Sequence, residues 1–511
     1  MDLCITQALH RAVRIHPKKL ATICGQRRHD YSTLYQRVAC LAGALRALGM
    51  MPGDRVAILS LNSDRYVEYF FAVLWAGGVV NPLNIFWSAS EIAYSLADCD
   101  AHILLIDDPF LPMLRTLREQ TPCLRTVIHC GDGATPPDAL PYETLVATHQ
   151  PAEDAGRAGE DLAGVFYTGG TTGISKGVML SHCAIYINAL EMITHGMNTG
   201  LRIGLHSAPM FHIADHLFFN ALSISGGTHV ILPIFDAKRV AESIEREGVT
   251  MTTMVSTMVQ MLVDSEPARC HDLSSLDVLL YGGSPMSEAV IDRTIARLPK
   301  VKMFQVYGMT ELAPIATLLP HYYHLPAARA LGKARSAGMP STICDIRIVD
   351  DDGREVPCDM VGEVVVRSPC IMQGYWNKPE QTAQCLRNGW MHTGDAGYMD
   401  ADGFVFIVDR INDLIVTGGK NVYSVEVDNA VAKHEAVLQC ATIARPDEKW
   451  GKLVHVCVVL RPGASLDLQS LRAHCASLID DYKIPGSLEI LEALPTSAAG
   501  KVLKSNLRGK F

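Results

Sequence analysis

The chain lacks several things that would narrow its class. Its 15 cysteines are scattered singly through 511 residues, with no Cys-x-x-Cys pair. Metal fingers and disulfide frameworks need regular cysteine spacing, so neither is expected, and every cysteine reads as a small buried hydrophobe. Basic residues are not in excess: 45 Lys and Arg stand against 54 Asp and Glu, a net charge of −9. That excludes nucleic-acid binding as the main role, since it needs a basic face. Long apolar runs are also missing. The most apolar stretch, Tyr69 to Leu83, is interrupted by Gly77-Gly78 and Asn81 and is too short to cross a bilayer. The opening residues, Met1-Asp-Leu-Cys-Ile-Thr-Gln7, show no basic segment ahead of an apolar core. No secretory signal and no transmembrane segment are therefore expected, and a cytoplasmic location is.

The pattern that is present is α/β. At 48% hydrophobic and 19% charged residues, a chain of this length implies a compact protein of two to four cores. Arg55–Ser60 reads as a strand, Asp64–Ala76 as a helix and Gly77–Leu83 as a turn into another strand. Ile103–Asp107, His229–Leu232 and Leu276–Tyr281 read as further buried strands, with helices at Ala237–Glu247 and Ser287–Leu298. Strands alternating with helices predict a mostly parallel, doubly wound sheet. The segment from Gly131 to Gly159 reads as an exposed connection. From about Ile343 short strands and turns predict a small β-rich subdomain. A boundary near Asp409–Asp413 sets off roughly 100 residues as a separate small α+β domain. The expected division is 1–410 and 411–511.

The densest chemistry lies in Tyr167-Thr-Gly-Gly-Thr-Thr-Gly-Ile-Ser-Lys-Gly177, directly after the apolar run Leu162–Phe166. Successive backbone N–H groups and hydroxyls in a glycine-rich turn form a nest for anionic oxygens, and Lys176 adds a mobile charge. A Gly/Ser/Thr cluster is equally what an ordinary surface loop looks like, and the residues alone leave both readings open. It is neither the usual P-loop, because Gly177 follows Lys176 where Ser or Thr would stand, nor the dinucleotide fingerprint.

Other segments add chemistry. Gln305-Val-Tyr-Gly-Met-Thr-Glu311 gathers an aromatic face, a tight turn, a hydroxyl and a carboxylate. Tyr307 suits stacking on a purine, and Glu311 suits a hard cation. Gly282-Gly-Ser-Pro-Met-Ser287 follows a buried strand: either a flat ring lies against its glycines, or it is a plain turn with Ser287 as N-cap. Trp390-Met-His-Thr-Gly-Asp395 ends in a carboxylate able to accept ribose hydroxyls. His212 and His216 stand four residues apart, a spacing that could bind zinc, but no third ligand or His-Glu-x-x-His pattern accompanies them.

Together these motifs resemble those of the adenylate-forming (AMP-binding) superfamily, which includes acyl-CoA synthetases, luciferases and peptide-synthetase adenylation domains. They occur in the family order from residue 167 to residue 501. The resemblance points to the acyl-CoA synthetase branch: ATP and Mg²⁺ activate a carboxylic acid as acyl-AMP, and coenzyme A then takes the acyl group.

It implies that Thr168, Gly169, Gly170, Thr171, Thr172 and Lys176 grip phosphate, and that Glu311 with Thr168 holds Mg²⁺. Gly282, Gly283, Ser284, Tyr307, Gly308 and Thr310 would frame the adenine end, and Asp395 and Arg410 the ribose. Lys501, in Leu494-Pro-Thr-Ser-Ala-Ala-Gly-Lys501, would meet the acid and α-phosphate, with Thr172 and Glu311 sharing the catalytic work. Gly418 and Gly419 would line the pantetheine path, and His212 would border the acyl pocket.

Several positions depart from the pattern: Gly169 for Ser, Ser175 for Pro, Ser284 for Ala, Asn412 for the hinge Asp or Lys, Ser424 for Pro, and Ala499 for Ser. A fatty or other apolar monocarboxylic acid is the expected substrate, with an aromatic acid as the alternative. An amino acid is disfavoured because Asp215 is out of frame. A nucleotide-binding regulatory protein without catalysis is the reading from another class, opposed by the retention of Lys176, Glu311, Asp395, Arg410 and Lys501. Pairing as a homodimer stays open.

Overall fold

The computed structural model describes residues 2–169, 175–197, 202–284, 286–410, 415–417, 420–447, 451–495 and 502–508. Four sheets organise them, of eight, nine, five and five strands. The eight-stranded sheet runs from Gly374–Tyr375 through Lys176–Ser181, Leu162–Thr168, Val79–Pro82, Arg55–Leu59, Ile103–Ile106 and Thr126–His129 to Leu140–Pro141. The pairs from Val79–Pro82 onward are parallel, whereas Leu162–Thr168 and Lys176–Ser181 form an antiparallel hairpin. In the nine-stranded sheet the central strands Met251–Val255, Val278–Gly282 and Lys302–Gly308 are parallel neighbours. The predicted doubly wound α/β architecture is therefore present, and strands such as Ile103–Ile106 and Val278–Gly282 are short apolar runs, as expected for strands covered on both faces.

Between the sheets lies Asp64–Trp75, a helix whose twelve residues are all buried. A helix apolar nearly all round belongs inside a core, but this one carries three charges. Each is neutralised: Arg27 Nε bonds Asp64 Oδ2 at 2.8 Å, Arg37 Nε bonds Glu68 Oε1 at 2.6 Å, and Arg65 Nε bonds Glu143 Oε1 at 2.9 Å. Glu143 also corrects an expectation. The stretch from Gly131 to Gly159 is not simply an exposed connection, because it contains the helix Tyr142–Thr148, with Tyr142, Leu145 and Val146 buried. The Tyr142 hydroxyl donates to Glu68 at 2.6 Å. Its short amphipathic pattern is masked in sequence by the Pro- and Ala-rich residues around it. The cysteines also differ in part from expectation: Cys270 and Cys358 are exposed.

The β-rich subdomain is the five-stranded antiparallel sheet of Asp345–Val349, Gly362–Arg367, Leu386–Arg387, Trp390–Met399 and Val405–Arg410. The last sheet, from Ile415–Thr417 to Ser487–Ile490, has its own apolar core around Val427, Val454, Val456 and Leu471. Ser424 N donates to Asp409 Oδ2 at 2.6 Å across the junction. No helix among the described residues is long and apolar enough to cross a membrane.

Candidate active site

The parallel strands Val278–Gly282 and Lys302–Gly308 end side by side, Gly282 lying opposite Val306. In open α/β sheets, ligands gather at these carboxyl ends, and here the expected residues converge. Tyr307 reaches from its strand to the β-rich subdomain, where its hydroxyl donates to Asp395 Oδ2 at 2.7 Å. Asp395 lies opposite Arg410 on the neighbouring strand, and Arg410 Nε meets Asp395 Oδ1 at 2.7 Å.

Local sequence fixes this carboxylate. Gly394 takes φ +69°, and the Asp395 amide donates to Thr393 Oγ1 at 3.0 Å. Thr393 Oγ1 in turn donates to Val364 O at 2.7 Å. A carboxylate offers about four lone-pair sites; two are used by Tyr307 and Arg410, which leaves capacity for the two hydroxyls of a ribose. Burial and the Asp395 charge push the Tyr307 phenol far up, so it is a fixed donor.

Gly308 is dictated by the chain itself, because a Cβ there would sit 1.7 Å from Pro314 O. At Gly283, by contrast, φ is +76° and the nearest atom to an added Cβ is Val255 Cγ1 at 3.5 Å, an open and flat approach to the backbone. Ser284 is anchored through its carbonyl by the Ser256 hydroxyl at 2.7 Å. Ser287 caps the following helix, accepting from Val290 N.

The glycine-rich segment spans the open end of the hairpin. Thr168 and Lys176 face each other in register as its last paired residues. The segment thus joins two antiparallel strands, unlike a P-loop, which leads into a helix; the next helix, His182–Thr194, starts only after the second strand. Gly170, Thr171 and Thr172 lie outside the described residues, and Gly169 is exposed. Beside the hairpin, Glu311 is 6% exposed and Thr310 9%. Glu311 Oε1 accepts the Tyr375 hydroxyl at 2.7 Å, and Lys176 Nζ stands 4.8 Å from the centroid of the Tyr375 ring. Among the described residues no side chain bonds Glu311 Oε2. A largely buried carboxylate with one oxygen held and one available, next to the hydroxyl-bearing hairpin, fits a hard divalent cation such as Mg²⁺. Tyr375 was not singled out from the sequence; Gly374-Tyr-Trp376 is an aromatic pair without a known motif spacing.

His212 is the N-cap of Ile213–Ile224, its Nδ1 accepting from Ala214 N at 3.2 Å. Burial lowers its pKa, so it is neutral. One turn on, His216 is enclosed by Phe70, Phe166 and Phe219. The two histidines do not converge on a metal, and neither belongs to the His/Cys/acid groups of ligating geometry among the described residues. Asp215 is buried and its Oδ1 is bonded to His206 Nδ1 at 2.7 Å. Asn412, Gly418, Gly419 and Lys501 lie outside the described residues.

With this geometry in place, comparison with known proteins is decisive. The profile of the AMP-binding enzyme family matches residues 9–376, and that of its C-terminal domain matches residues 426–501. The chain belongs to the AMP-binding enzyme family. This AMP-binding enzyme is 35% identical to a feruloyl-CoA synthase of an Amycolatopsis species over 98% of both chains. It is 33% identical to a fatty acid–[acyl-carrier-protein] ligase of Streptomyces coeruleorubidus, over 97% of this chain and 94% of the relative. Among solved structures, the amide bond synthetase of Marinactinospora thermotolerans superposes with a TM-score of 0.89 at 29% identity, covering 99% of this chain and all (100%) of that one. The family and these relatives identify an enzyme of the acid–thiol ligase class.

Proposed function

We propose that the chain is an ATP-dependent acyl-CoA ligase acting on an apolar monocarboxylic acid. The observation that carries the reading is the convergence of Tyr307, Asp395 and Arg410 at the strand ends beside Glu311 and the Lys176 hairpin. One end of the site suits a ribose and the other suits phosphates and a divalent cation. Asp395 with Arg410 holds the ribose, while Gly283 and Ser284 give adenine a backbone wall. Thr168, Thr171, Thr172 and Lys176 hold the phosphate oxygens. Glu311, with Thr168, holds Mg²⁺, which when bound neutralises phosphate charge.

Catalysis is then mainly positioning and charge stabilisation, because two anions must meet. A carboxylate oxygen of the acid attacks the α-phosphorus, the bond to pyrophosphate breaks, and Lys501 stabilises the charge that develops. In the second half-reaction the thiolate sulfur of coenzyme A attacks the acyl carbonyl and AMP leaves. The segment 411–511 acts as a mobile lid that turns about Asn412, withdrawing Lys501 and presenting Gly418–Gly419 to the thiol.

A neutral His212, buried Phe211 and Met254 and half-buried Met258 support an apolar acyl group. An aromatic acid is the second reading, favoured by the likeness to the feruloyl-CoA synthase and to an indoleacetate–CoA ligase of Aromatoleum aromaticum, 32% identical over 99% of this chain and 97% of the relative. Incubating the enzyme with ATP, Mg²⁺, coenzyme A and a panel of fatty and aromatic acids decides between them by the acyl-CoA formed. Lys501→Ala is expected to abolish adenylation yet largely spare thioester formation from supplied acyl-adenylate. Equal loss of both half-reactions would contradict this division of labour.

A further inference from the structure

In the candidate site two opposite charges stand on either side of one phenol. Lys176 Nζ lies 4.8 Å from the centroid of the Tyr375 ring, and the hydroxyl of that ring is 2.7 Å from Glu311 Oε1. Glu311 and Tyr375 are 6% and 7% exposed. An ammonium beside a buried carboxylate gains strongly by direct pairing, since low dielectric amplifies the attraction. Such a pair would consume the groups that phosphate and cation each need.

The phenol is rigidly mounted between them. Gly374 and Tyr375 pair with Met179 and Val178 of the hairpin, Trp376 N donates to Gly177 O at 2.7 Å, and Tyr375 N donates to Thr382 Oγ1 at 2.9 Å. Met372 N also donates to Glu311 O at 2.8 Å, so one short segment grips both the hairpin and the carboxylate.

Resting on the function proposed above, we infer that Tyr375 is a positioning residue that keeps Glu311 and Lys176 apart and aimed, each for its own part of a metal–nucleotide complex. Its hydroxyl fixes one carboxylate oxygen and leaves Oε2 to the cation. Its ring face gives Lys176 a resting place that phosphate oxygens readily displace.

The test is ATP binding by titration calorimetry on the full chain, in EDTA and across a Mg²⁺ series, with thermal midpoints recorded. In Tyr375→Phe the half-saturating Mg²⁺ concentration is expected to rise about tenfold or more, the scale of a lost hydrogen bond to a charged group, with binding in EDTA unchanged. Tyr375→Leu, which also removes the ring, is expected to weaken binding in both conditions. In a Glu311→Gln background, Tyr375→Phe should have no further effect on the Mg²⁺ dependence. A Mg²⁺ dependence in Tyr375→Phe equal to that of the wild type overturns the inference. So do identical effects of Phe and Leu, or loss of the folding transition in Tyr375→Phe, because these make the tyrosine merely structural. Absence of any Mg²⁺ effect in the wild type would instead overturn the metal–nucleotide reading itself.

Discussion

Asp395 binds Arg410 through one oxygen and Tyr307 through the other, and it is 5% exposed. Asp395→Asn keeps the shape but replaces one acceptor oxygen with a donor, setting it against either the guanidinium or the ribose. Charge-assisted hydrogen bonds contribute about 1.5–3 kcal/mol each, so the KM for ATP is expected to rise roughly 10- to 150-fold, and the thermal midpoint to fall as the buried pair with Arg410 weakens. Steady-state kinetics at varied ATP checks this, and an unchanged KM would remove Asp395 from the nucleotide site. Asp395, Arg410, Tyr307 and Glu311 could be singled out in the sequence because each stands in a short motif that resembles one of the AMP-binding family. Tyr375 was not. Its place depends on strand pairing with Val178, far away in sequence, and no local pattern records that partner.

At the scale of elements, the residues of the glycine-rich stretch left a phosphate nest and a plain surface loop both open, and did not reveal the antiparallel hairpin that Leu162–Thr168 and Lys176–Ser181 form. An apolar run after a loop can be strand or helix, and here Lys176–Ser181 is a strand followed by a helix. The boundary between Lys302–Gly308 and the Glu311 turn depends on close backbone approach. Gly308→Ala would place a methyl 1.7 Å from Pro314 O, a backbone atom that cannot move without shifting the turn. Overpacking typically costs about 1–3 kcal/mol, and a rigid backbone contact is expected to reach the top of that range. Urea unfolding should show a lowered midpoint, with Glu311-dependent ATP binding weakened in parallel; wild-type values for both would contradict the packing described. The helix Tyr142–Thr148 was not read from the sequence for a related reason, since it packs on the distant helix Tyr31–Ala47 and its Tyr142 bonds Glu68, partners that its own flanks do not record.

At the scale of the molecule, the order of the sheets and the distinct C-terminal core follow the alternation of strands and helices that the sequence displays. The buried polar network does not, because pairing between distant charges leaves no periodicity. Buried histidines make stability depend on pH. Burial holds His182, His216 and His324 to pKa values of about 4, about 3 and about 4. The unfolded chain takes up these protons near pH 6.5, whereas the folded chain takes them up only near pH 3–4. Stability is therefore fully present above pH 6.5 and is lost as pH falls toward 4, by about 1.4 kcal/mol per unit for each histidine. Thermal midpoints should fall steadily from pH 7 to pH 5, and His216→Phe should make the slope shallower; a flat profile would contradict the burial of these rings.

In the proposed function the AMP-binding enzyme activates a carboxylic acid with ATP before any thiol takes part. Exchange of labelled pyrophosphate into ATP, measured without coenzyme A, tests it most directly. Exchange is expected to require both Mg²⁺ and an apolar carboxylic acid and to be lost in Lys501→Ala. Exchange with no acid in the panel, or exchange that appears only when coenzyme A is added, would contradict it.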